Sequence, residues 1–262
     1  MFQFYSLFSG STGNCSIVQT EHTKILIDVG ESAKKIAEAL RSLQIEPEQI
    51  DAVLITHEHS DHIKGLGTFS KKYNVPVYAN LETWNAMPTQ KEKIERENRK
   101  EFLFSPFKIG DFEILPFSIP HDAANPCGFN IIHKDKKISI ATDIGHMNEQ
   151  IMQHLANSRF ILLEANYDPE ILKCSSYPYL LKQRISGPNG HLSNDMAGKT
   201  ISYLLNSGLN HVMLGHLSKE NNFPELAYKT VVEQLIENHL DESSLHLSVA
   251  NRYAISPVIN VS

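Results

Sequence analysis

The chain has 262 residues and 41% hydrophobic content, enough to bury the core of one large domain or of two small ones. Its 24 lysines and arginines stand against 30 aspartates and glutamates, so the formal net charge is −6. This balance excludes a protein that binds nucleic acid through its bulk charge, and any such contact would need a local basic patch.

The cysteines and the start of the chain indicate the expected compartment. Cys15, Cys127 and Cys174 are widely spaced and form no Cys-x-x-Cys pair, which argues against a structural zinc knuckle. Residues 1–5 lack the basic start and long apolar run of a secretory signal, and no segment approaches the ~18 apolar residues of a membrane span. We therefore expect a cytoplasmic protein in a reducing environment, with no membrane contact.

In the first half of the chain, apolar and β-branched runs predict strands at 2–8, 16–19, 24–28, 52–55 and 75–78. The glycine- and serine-rich segment 9–14 predicts a flexible turn between the first two strands. Helical periodicity predicts helices at 32–43 and 61–73, and the highly charged stretch 88–101 predicts an exposed helix or loop. The continuous apolar run at 52–55 is typical of a strand buried on both faces.

In the second half, the same patterns predict strands at 112–119, 129–133, 137–142, 160–164, 211–214 and 245–249. Helices are predicted at 147–156, 193–206 and 224–238, with Ser193 as an N-cap. Segment 168–184, which contains two prolines, is predicted to be irregular. Since no repeat or low-complexity linker divides the chain, we expect residues 1–262 to form one layered α/β domain, with two sheets inside and helices outside.

Four residues with metal-binding side chains follow the predicted strand at 52–55, namely His57, His59, Asp61 and His62. His57 and His59 can point to the same side of an extended turn, whereas Asp61 and His62 come where the next helix begins. Two imidazoles can therefore serve one ion while a carboxylate and an imidazole serve a second, a mixture that suits zinc or manganese. A polar loop with surface histidines is the alternative, but four ligand types within six positions are hard to obtain by chance.

A two-metal site needs further ligands, and His121, Asp143 and His216 each follow an apolar run. A single residue of this kind is usually a cap or a turn residue. Together with the cluster at 57–62, the three residues indicate one metal centre with ligands from several strand ends.

The His-x-His-x-Asp-His segment at 57–62, followed in order by the three later ligand residues, resembles the metallo-β-lactamase superfamily over nearly the whole chain. The resemblance implies an αββα four-layer sandwich with two divalent metal ions at one edge. The family pattern assigns His57, His59 and His121 to one ion, and Asp61, His62 and His216 to the other. Asp143 then bridges both ions.

Shorter motifs resemble the YycJ/WalJ group of that superfamily. They are SGSTGNC (9–15), IPHDA (119–123), LKQR (181–184), GHLSN (190–194) and LGHLSKENN (214–222). Members of this group are regarded as 5′→3′ DNA exonucleases, with a suggested link to mismatch repair. The resemblance thus implies a DNA exonuclease in DNA repair, with DNA and mismatch-repair proteins as partners.

The implied mechanism uses two ions, Mn²⁺ or Zn²⁺, some ~3.5–4 Å apart, which bind and deprotonate a water molecule that attacks the phosphorus. Asp61 is assigned both to ligate metal and to orient this water. Asp28, at the end of its predicted strand, is a candidate to orient a histidine ligand, with a turn or N-cap role as the alternative. By resemblance to related RNA-processing nucleases, His191 is assigned to phosphate binding or to protonation of the leaving oxygen, with a capping-turn histidine as the alternative.

Six residues of the shorter motifs are assigned to substrate binding: Ser9, Asn14, Lys182, Arg184, Ser218 and Lys219. The amides and hydroxyls of segment 9–14 could cradle a phosphate, and the basic side chains could supply the positive patch that an acidic nuclease needs. For the lysines, an ordinary solvated position is the alternative. Tyr177 and Tyr179 could stack on a base, although loop tyrosines more often pack against the core.

Two other functions remain open at this point, and the sequence assigns no oligomeric state. A small-molecule metallohydrolase, such as a glyoxalase-like thioesterase or a cyclic-phosphate diesterase, would use the same metals with a different substrate surface. A non-catalytic binding module stabilised by metal is the second, and Asp61 within a complete ligand set argues against it. A β-lactamase is disfavoured because those enzymes are usually exported and typically lack an aspartate at position 61.

Overall fold

Two β-sheets lie face to face, and each is built largely from one half of the chain. The computed structural model describes residues 1–240, 243 and 245–261, and within these ranges each sheet has seven strands. The first sheet contains β1 (Gln3–Phe8), β2 (Cys15–Gln19), β3 (Lys24–Ile27), β4 (Ala52–Leu54), β5 (Val77–Ala79) and β6 (Arg99–Glu101) in spatial order. The second contains β7 (Phe107–Ile109), β8 (Phe112–Ser118), β9 (Cys127–His133), β10 (Lys136–Ala141), β11 (Phe160–Glu164), β12 (His211–Gly215) and β13 (His246–Val249). The last strand, β14 (Ile259–Asn260), returns to the first sheet beside β1.

Apolar side chains from the inner faces of both sheets form the central core. Phe4 of β1 and Phe160 of β11 are fully buried, and their ring centroids lie 4.6 Å apart. The three residues of β4, Ala52, Val53 and Leu54, have no exposed surface. The prediction of a strand buried on both faces is therefore confirmed.

Helices cover the outer face of each sheet. Their bounds are α1 (Ala33–Ser42), α2 (Ser60–Ile63), α3 (Leu66–Tyr73), α4 (Leu81–Ala86), α5 (Pro88–Lys93), α6 (Glu149–Leu155), α7 (Pro169–Cys174), α8 (Tyr179–Ser186), α9 (Asn194–Leu204) and α10 (Pro224–Glu237). Apolar faces of α1, α3 and α4 pack on the first sheet, and those of α6, α9 and α10 pack on the second. This helix–sheet–sheet–helix layering confirms the predicted αββα sandwich. No helix in the described part of the chain combines the length and the apolar character needed to cross a bilayer.

The parallel strands of the two sheets place polar residues at one edge of the sandwich. In the first sheet β3 to β6 are parallel, and in the second β10 to β13 are parallel. Loops at the carboxyl ends of parallel strands are the usual place for a ligand site in an open α/β sheet. Asp28 follows β3, Asp143 follows β10 and His216 follows β12, so the chain topology alone brings these three residues to that edge.

The predicted helix at 61–73 is two helices, α2 and α3, and the single-helix prediction is wrong. The break falls at Gly65, whose backbone N–H donates to the carbonyl of Val29 at 3.0 Å. A Cβ atom at Gly65 would lie 2.1 Å from the carbonyl oxygen of Glu31, so only glycine fits this close approach. The turn at Gly65 therefore packs the loop of residues 57–62 against the segment that follows β3.

The predictions for 168–184 and for 99–101 also differ from the structure. Pro169 begins α7 as its first residue, and Asp168 Oδ1 accepts hydrogen bonds from the N–H groups of Glu170 and Ile171. Proline at this position favours a helix start, so the two prolines mark helix beginnings and not an irregular loop. Strand β6 was not predicted because its residues are charged, a composition that is common for a strand at a sheet edge.

Candidate metal centre

His57, His59 and His121 form the first group of ligand-type side chains. Nε2 of His57 lies 3.1 Å from Nδ1 of His59, and Nε2 of His121 lies 3.3 Å from the same atom. Nδ1 of His121 donates to the carbonyl of Gly190 at 2.9 Å, which leaves its Nε2 lone pair facing the other rings. Burial, and then the charge of His62, lowers the pKa of His57, so this ring is neutral, the form that binds metal.

Asp61, His62 and His216 form the second group. Oδ2 of Asp61 lies 3.4 Å from Nε2 of both imidazoles. Burial would raise the pKa of Asp61, but His62 and His216 hold it well below its usual range. Nδ1 of His62 lies 2.8 Å from Oδ2 of Asp28, which fixes the ring from behind. The helix that follows is capped by Ser32 and not by Asp28, so Asp28 contacts the ligand cluster.

Asp143 lies between the two groups. Its Oδ2 is 3.3 Å from Nε2 of His62, while its Oδ1 is 3.4 Å from Nδ1 of His216 and 3.7 Å from Nε2 of His121. Burial would raise the pKa of Asp143, but His216 and His62 lower it well below its ordinary value. The carboxylate is therefore ionised and faces imidazoles of both groups.

Three residues of this edge adopt a backbone conformation that is uncommon for residues other than glycine. Asp28, Asp143 and His216 have φ angles of 62°, 61° and 55°. This left-handed region costs energy, and such residues concentrate at functional sites where the surrounding structure holds them. At each of them the chain turns sharply after a parallel strand, and the side chain is directed into the cluster.

Glu164 is a residue of this centre that the sequence patterns did not single out. It ends β11 and is fully buried, and its Oε1 lies 2.8 Å from Nδ1 of His191 and 2.9 Å from Nδ1 of His216. Its Oε2 accepts hydrogen bonds from the backbone N–H groups of Ile144 and Leu192. Burial raises the pKa of Glu164, but His191 and the other donors lower it to about 2. The sequence signal that could have identified Glu164 is an acidic residue at the end of an apolar strand, the same pattern that indicated Asp143.

His191 lies at the rim of the cluster with its side chain 20% exposed. Since Nδ1 must donate to the ionised Glu164, Nε2 is the free nitrogen of the ring. Burial lowers the pKa of His191, but Glu164 raises it more, so the net shift is upward. The ring centroid lies 5.1 Å from that of His121 and 5.3 Å from that of His216. The structure therefore brings His191 together with the predicted ligands.

Ser9 and Asn14 lie behind the ligands and are buried. Oγ of Ser9 accepts a hydrogen bond from the backbone N–H of His216 at 2.9 Å. Nδ2 of Asn14 lies 3.2 Å from Oδ2 of Asp61 and 3.1 Å from Nε2 of His62. Both side chains thus contact metal-site residues, which places the predicted substrate turn next to the centre.

Lys182 and Arg184 lie on α8, and their charged groups have protein partners. Nζ of Lys182 donates to the carbonyls of Lys173 and Ser175 at 2.7 and 2.6 Å, which satisfies the end of α7. Nε of Arg184 donates to Oδ2 of Asp122, the residue after His121. Arg184 is therefore near the cluster, whereas the Lys182 ammonium serves the α7–α8 connection.

Ser218 and Lys219 follow His216 and differ in exposure. Ser218 is buried, and its hydroxyl oxygen accepts a hydrogen bond from the backbone N–H of Asn221 at 3.2 Å. Lys219 is exposed to solvent. Of the two predicted stacking residues, Tyr177 is half-buried and Tyr179 is 72% exposed.

The ligand-type atoms of this centre fit a metal site better than a hydrogen-bond network. Oδ2 of Asp143 is buried, and although Nε2 of His62 lies 3.3 Å away, this oxygen accepts no hydrogen bond of acceptable geometry within residues 1–240, 243 and 245–261. The seven predicted ligands, together with Glu164 and His191, fall into overlapping groups whose ligand atoms lie within 4.8 Å of one another. The groups are His57–His59–His121, Asp61–His62–His216, His57–His62–Asp143 and Asp143–Glu164–His191–His216. Converging imidazole nitrogens and an unpartnered carboxylate oxygen are the donor set of a divalent transition-metal site. The cluster could therefore hold divalent metal ions.

Comparisons with known proteins agree with this geometry. The family model of the metallo-beta-lactamase superfamily matches residues 9–189. The chain is 40% identical over 242 residues to the exodeoxyribonuclease WalJ of Streptococcus pneumoniae, covering 91% of this chain and 90% of that protein. It is 36% identical over 237 residues to the exodeoxyribonuclease YycJ of Bacillus anthracis, covering 89% of each. Among solved structures, PqqB from Methylobacterium extorquens is 14% identical and superposes with a TM-score of 0.72 over 98% of this chain and 99% of that one, which is a likeness of fold.

Proposed function

Because the chain belongs to the metallo-β-lactamase superfamily, and within it to the family of WalJ and YycJ, we propose that it is a metal-dependent 5′→3′ exodeoxyribonuclease. The similar WalJ and YycJ proteins are named exodeoxyribonucleases, and the similarity extends over about nine-tenths of the chain. The observation that carries the proposal is the position of Asp143. This carboxylate approaches His62 through Oδ2, and His216 and His121 through Oδ1, so it faces imidazoles of both groups, as a carboxylate shared by two ions would.

Two ions would be held by the two groups of side chains. His57, His59 and His121 would hold one, Asp61, His62 and His216 the other, and Asp143 would contact both. When bound, such ions acidify a water molecule and neutralise charge on the phosphate oxygens. The nitrogen-rich group fits Zn²⁺, and the carboxylates beside His216 also suit Mn²⁺, so we propose either metal.

The remaining steps fall to side chains of this chain. Asp61 directs Oδ2 to two imidazoles, and its side chain is 21% exposed, so its other oxygen can accept a hydrogen bond from the attacking water. Glu164 holds Nδ1 of His191 and leaves Nε2 to bind a phosphate oxygen or to protonate the leaving oxygen. Asp28 fixes the ring of His62. We also propose a role in DNA repair with mismatch-repair proteins as partners, on the strength of the family resemblance.

Digestion of labelled duplex DNA tests the activity and its direction. Purified protein with Mn²⁺ is expected to release a mononucleotide from a 5′-labelled end at the first cleavage, while a 3′ label stays on progressively shorter fragments. Early release of a 3′ label would contradict the direction. Absence of any DNA cleavage, together with turnover of a thioester or a cyclic phosphate, would contradict the nuclease assignment.

His191→Ala is expected to lower kcat on DNA roughly 10²- to 10⁴-fold, because a positioned proton donor typically contributes that much. Bound metal per chain should not change, since His191 is assigned to the substrate. The control is His22→Ala, which removes an exposed histidine from the β2–β3 turn. A loss of metal that parallels the loss of activity would contradict this role and make His191 a ligand beside Asp143 and His216.

A further inference from the structure

A cleft of about 290 Å³ opens beside the metal centre, next to the loop that carries His216. Its walls include Ser9, Lys219, Phe223 and Arg252. Ser9 lies on the wall of the cleft and also contacts the metal centre, because its hydroxyl oxygen accepts a hydrogen bond from the backbone N–H of His216. A chain segment or ligand in this cleft would therefore lie next to the loop that carries His216.

The Arg252 guanidinium adds a positive charge to this wall, and no carboxylate among the described residues forms an ion pair with it. Its Nη2 donates to the carbonyl of Leu217 at 2.6 Å. Its Nη1 is buried and has no hydrogen-bond partner in the described part of the chain. The arginines that form ion pairs among the described residues are Arg41 and Arg184, and the exposed Glu220 attracts Arg252 only at longer range. Because a guanidinium stays protonated, the cleft carries a permanent positive charge.

The same arginine also packs against the glycine-rich turn at 9–14. A Cβ atom on Gly10, whose φ is +146°, would lie 2.3 Å from Nη1 of Arg252, so the guanidinium packs directly against the backbone of the turn. The neighbouring residues Ser11 and Thr12 are exposed. The cleft is therefore bordered by a polar turn on one side and by two cationic side chains on the other.

Lys219 and Phe223 complete the chemistry of the cleft. Lys219 is exposed and adds a second positive charge. Phe223 is 49% exposed, so part of its ring is open to solvent on the wall of the cleft. Cationic groups beside an exposed aromatic ring are the pattern by which proteins bind single nucleic-acid strands, with charge on the backbone and stacking on a base.

We propose that this cleft is a strand-binding subsite, in which the exposed Lys219 holds a phosphodiester away from the scissile bond, the buried charge of Arg252 attracts it, and Phe223 stacks on the adjoining base. The proposal rests on the proposed nuclease function and names where the DNA strand lies relative to the metals. Arg252, Lys219 and Phe223 are positioning residues, because they lie outside the ligand cluster. They set affinity for the strand and not the chemistry at phosphorus.

The test measures binding of a fluorescent single-stranded oligonucleotide with cleavage-resistant phosphorothioate links to the metal-loaded protein. Lys219→Gln is expected to weaken binding about tenfold and to make the slope of log affinity against log salt shallower by about 0.7, the amount for one lost phosphate contact. Arg252→Gln should act in the same direction, and Phe223→Ala should weaken binding without changing the slope. The control Lys229→Gln removes an equal charge from the solvent face of α10, where Lys229 pairs with Glu233, and should leave affinity unchanged.

Hydrolysis of bis-p-nitrophenyl phosphate, which needs only the metal centre, checks that each variant is folded and loaded. Lys229→Gln should retain the wild-type rate on this small diester, and Lys219→Gln is compared with it for fold by circular dichroism and for bound metal per chain. The exposed side chain of Lys219 makes this variant informative even if Arg252→Gln fails to fold. Equal affinity of Lys219→Gln, Phe223→Ala and Lys229→Gln would overturn the subsite while the nuclease function stands. A wild-type protein that hydrolyses the small diester but neither binds nor cuts DNA would overturn the nuclease function instead. Displacement of the oligonucleotide by low-millimolar inorganic phosphate, lost in Lys219→Gln, would assign the cleft to free phosphate and overturn the strand assignment.

Discussion

Asp61→Ala is expected to lower kcat/KM on DNA by roughly 10³-fold or more, the scale on which removal of one transition-state contact acts, together with loss of a metal ligand. Asp61 places Oδ2 at 3.4 Å from Nε2 of His62 and of His216, and its side chain is 21% exposed. The variant therefore removes a proposed ligand and the acceptor proposed for the attacking water. Steady-state kinetics on end-labelled DNA measure the effect.

A matched control separates the loss of this carboxylate from a general loss of charge. Asp135→Ala removes an exposed aspartate from the β9–β10 turn and should keep full activity. If pure Asp61→Ala protein retained wild-type kcat/KM, the mechanism proposed for Asp61 would be wrong. Metal content measured on the same sample shows how much of the loss comes from the second ion.

Glu164→Gln is expected to destabilise the protein by about 3–5 kcal/mol, the cost of breaking a buried charge interaction. Glu164 is fully buried, and its two oxygens accept from His191, His216 and the N–H groups of Ile144 and Leu192. In the wild-type protein each oxygen of Glu164 faces two of these donors. A glutamine would have to direct its NH₂ group, which is itself a donor, at one of the two pairs. The free energy of unfolding from denaturant titration measures the loss.

The same variant is expected to lower activity, because His191 and His216 both depend on Glu164 for ring orientation. Loss of such an outer hydrogen bond typically costs about 10- to 100-fold in metal affinity or activity. Glu113→Gln, an exposed position on β8, is the control and should change neither property. Wild-type stability and activity in Glu164→Gln would show that Glu164 does not organise the centre.

The sequence predicted the parts of the fold and centre that depend on local pattern. The buried run at 52–55 identified β4, and the ligand spacing at 57–62 identified the loop that follows it. His121, Asp143 and His216 could be found because each follows an apolar strand. The strands before Asp143 and His216 are parallel and end at a shared edge, whereas β8, before His121, is antiparallel to its neighbours. Their roles as ligands remain predictions.

Features that depend on long-range contacts were not predictable. The break at Gly65 arises from close approach to the carbonyl of Glu31, which has no local signal. Glu164 ends an apolar strand, but only the folded chain shows that it joins His191 to His216. Arg252 lies far along the chain in an irregular segment, and its contact with Gly10 exists only after both sheets have formed.

A screen of metals against substrates tests the central claim most directly. Metal-free protein would be reconstituted with Mn²⁺, Zn²⁺ or Mg²⁺ and given end-labelled single- and double-stranded DNA, the matching RNA, a glutathione thioester and a cyclic phosphate. The account predicts nucleotide release from DNA with Mn²⁺ or Zn²⁺, no release from metal-free protein, and release slowed by roughly 10³-fold or more with Asp61→Ala. Turnover of only the thioester or the cyclic phosphate, with DNA intact under every metal, would contradict it.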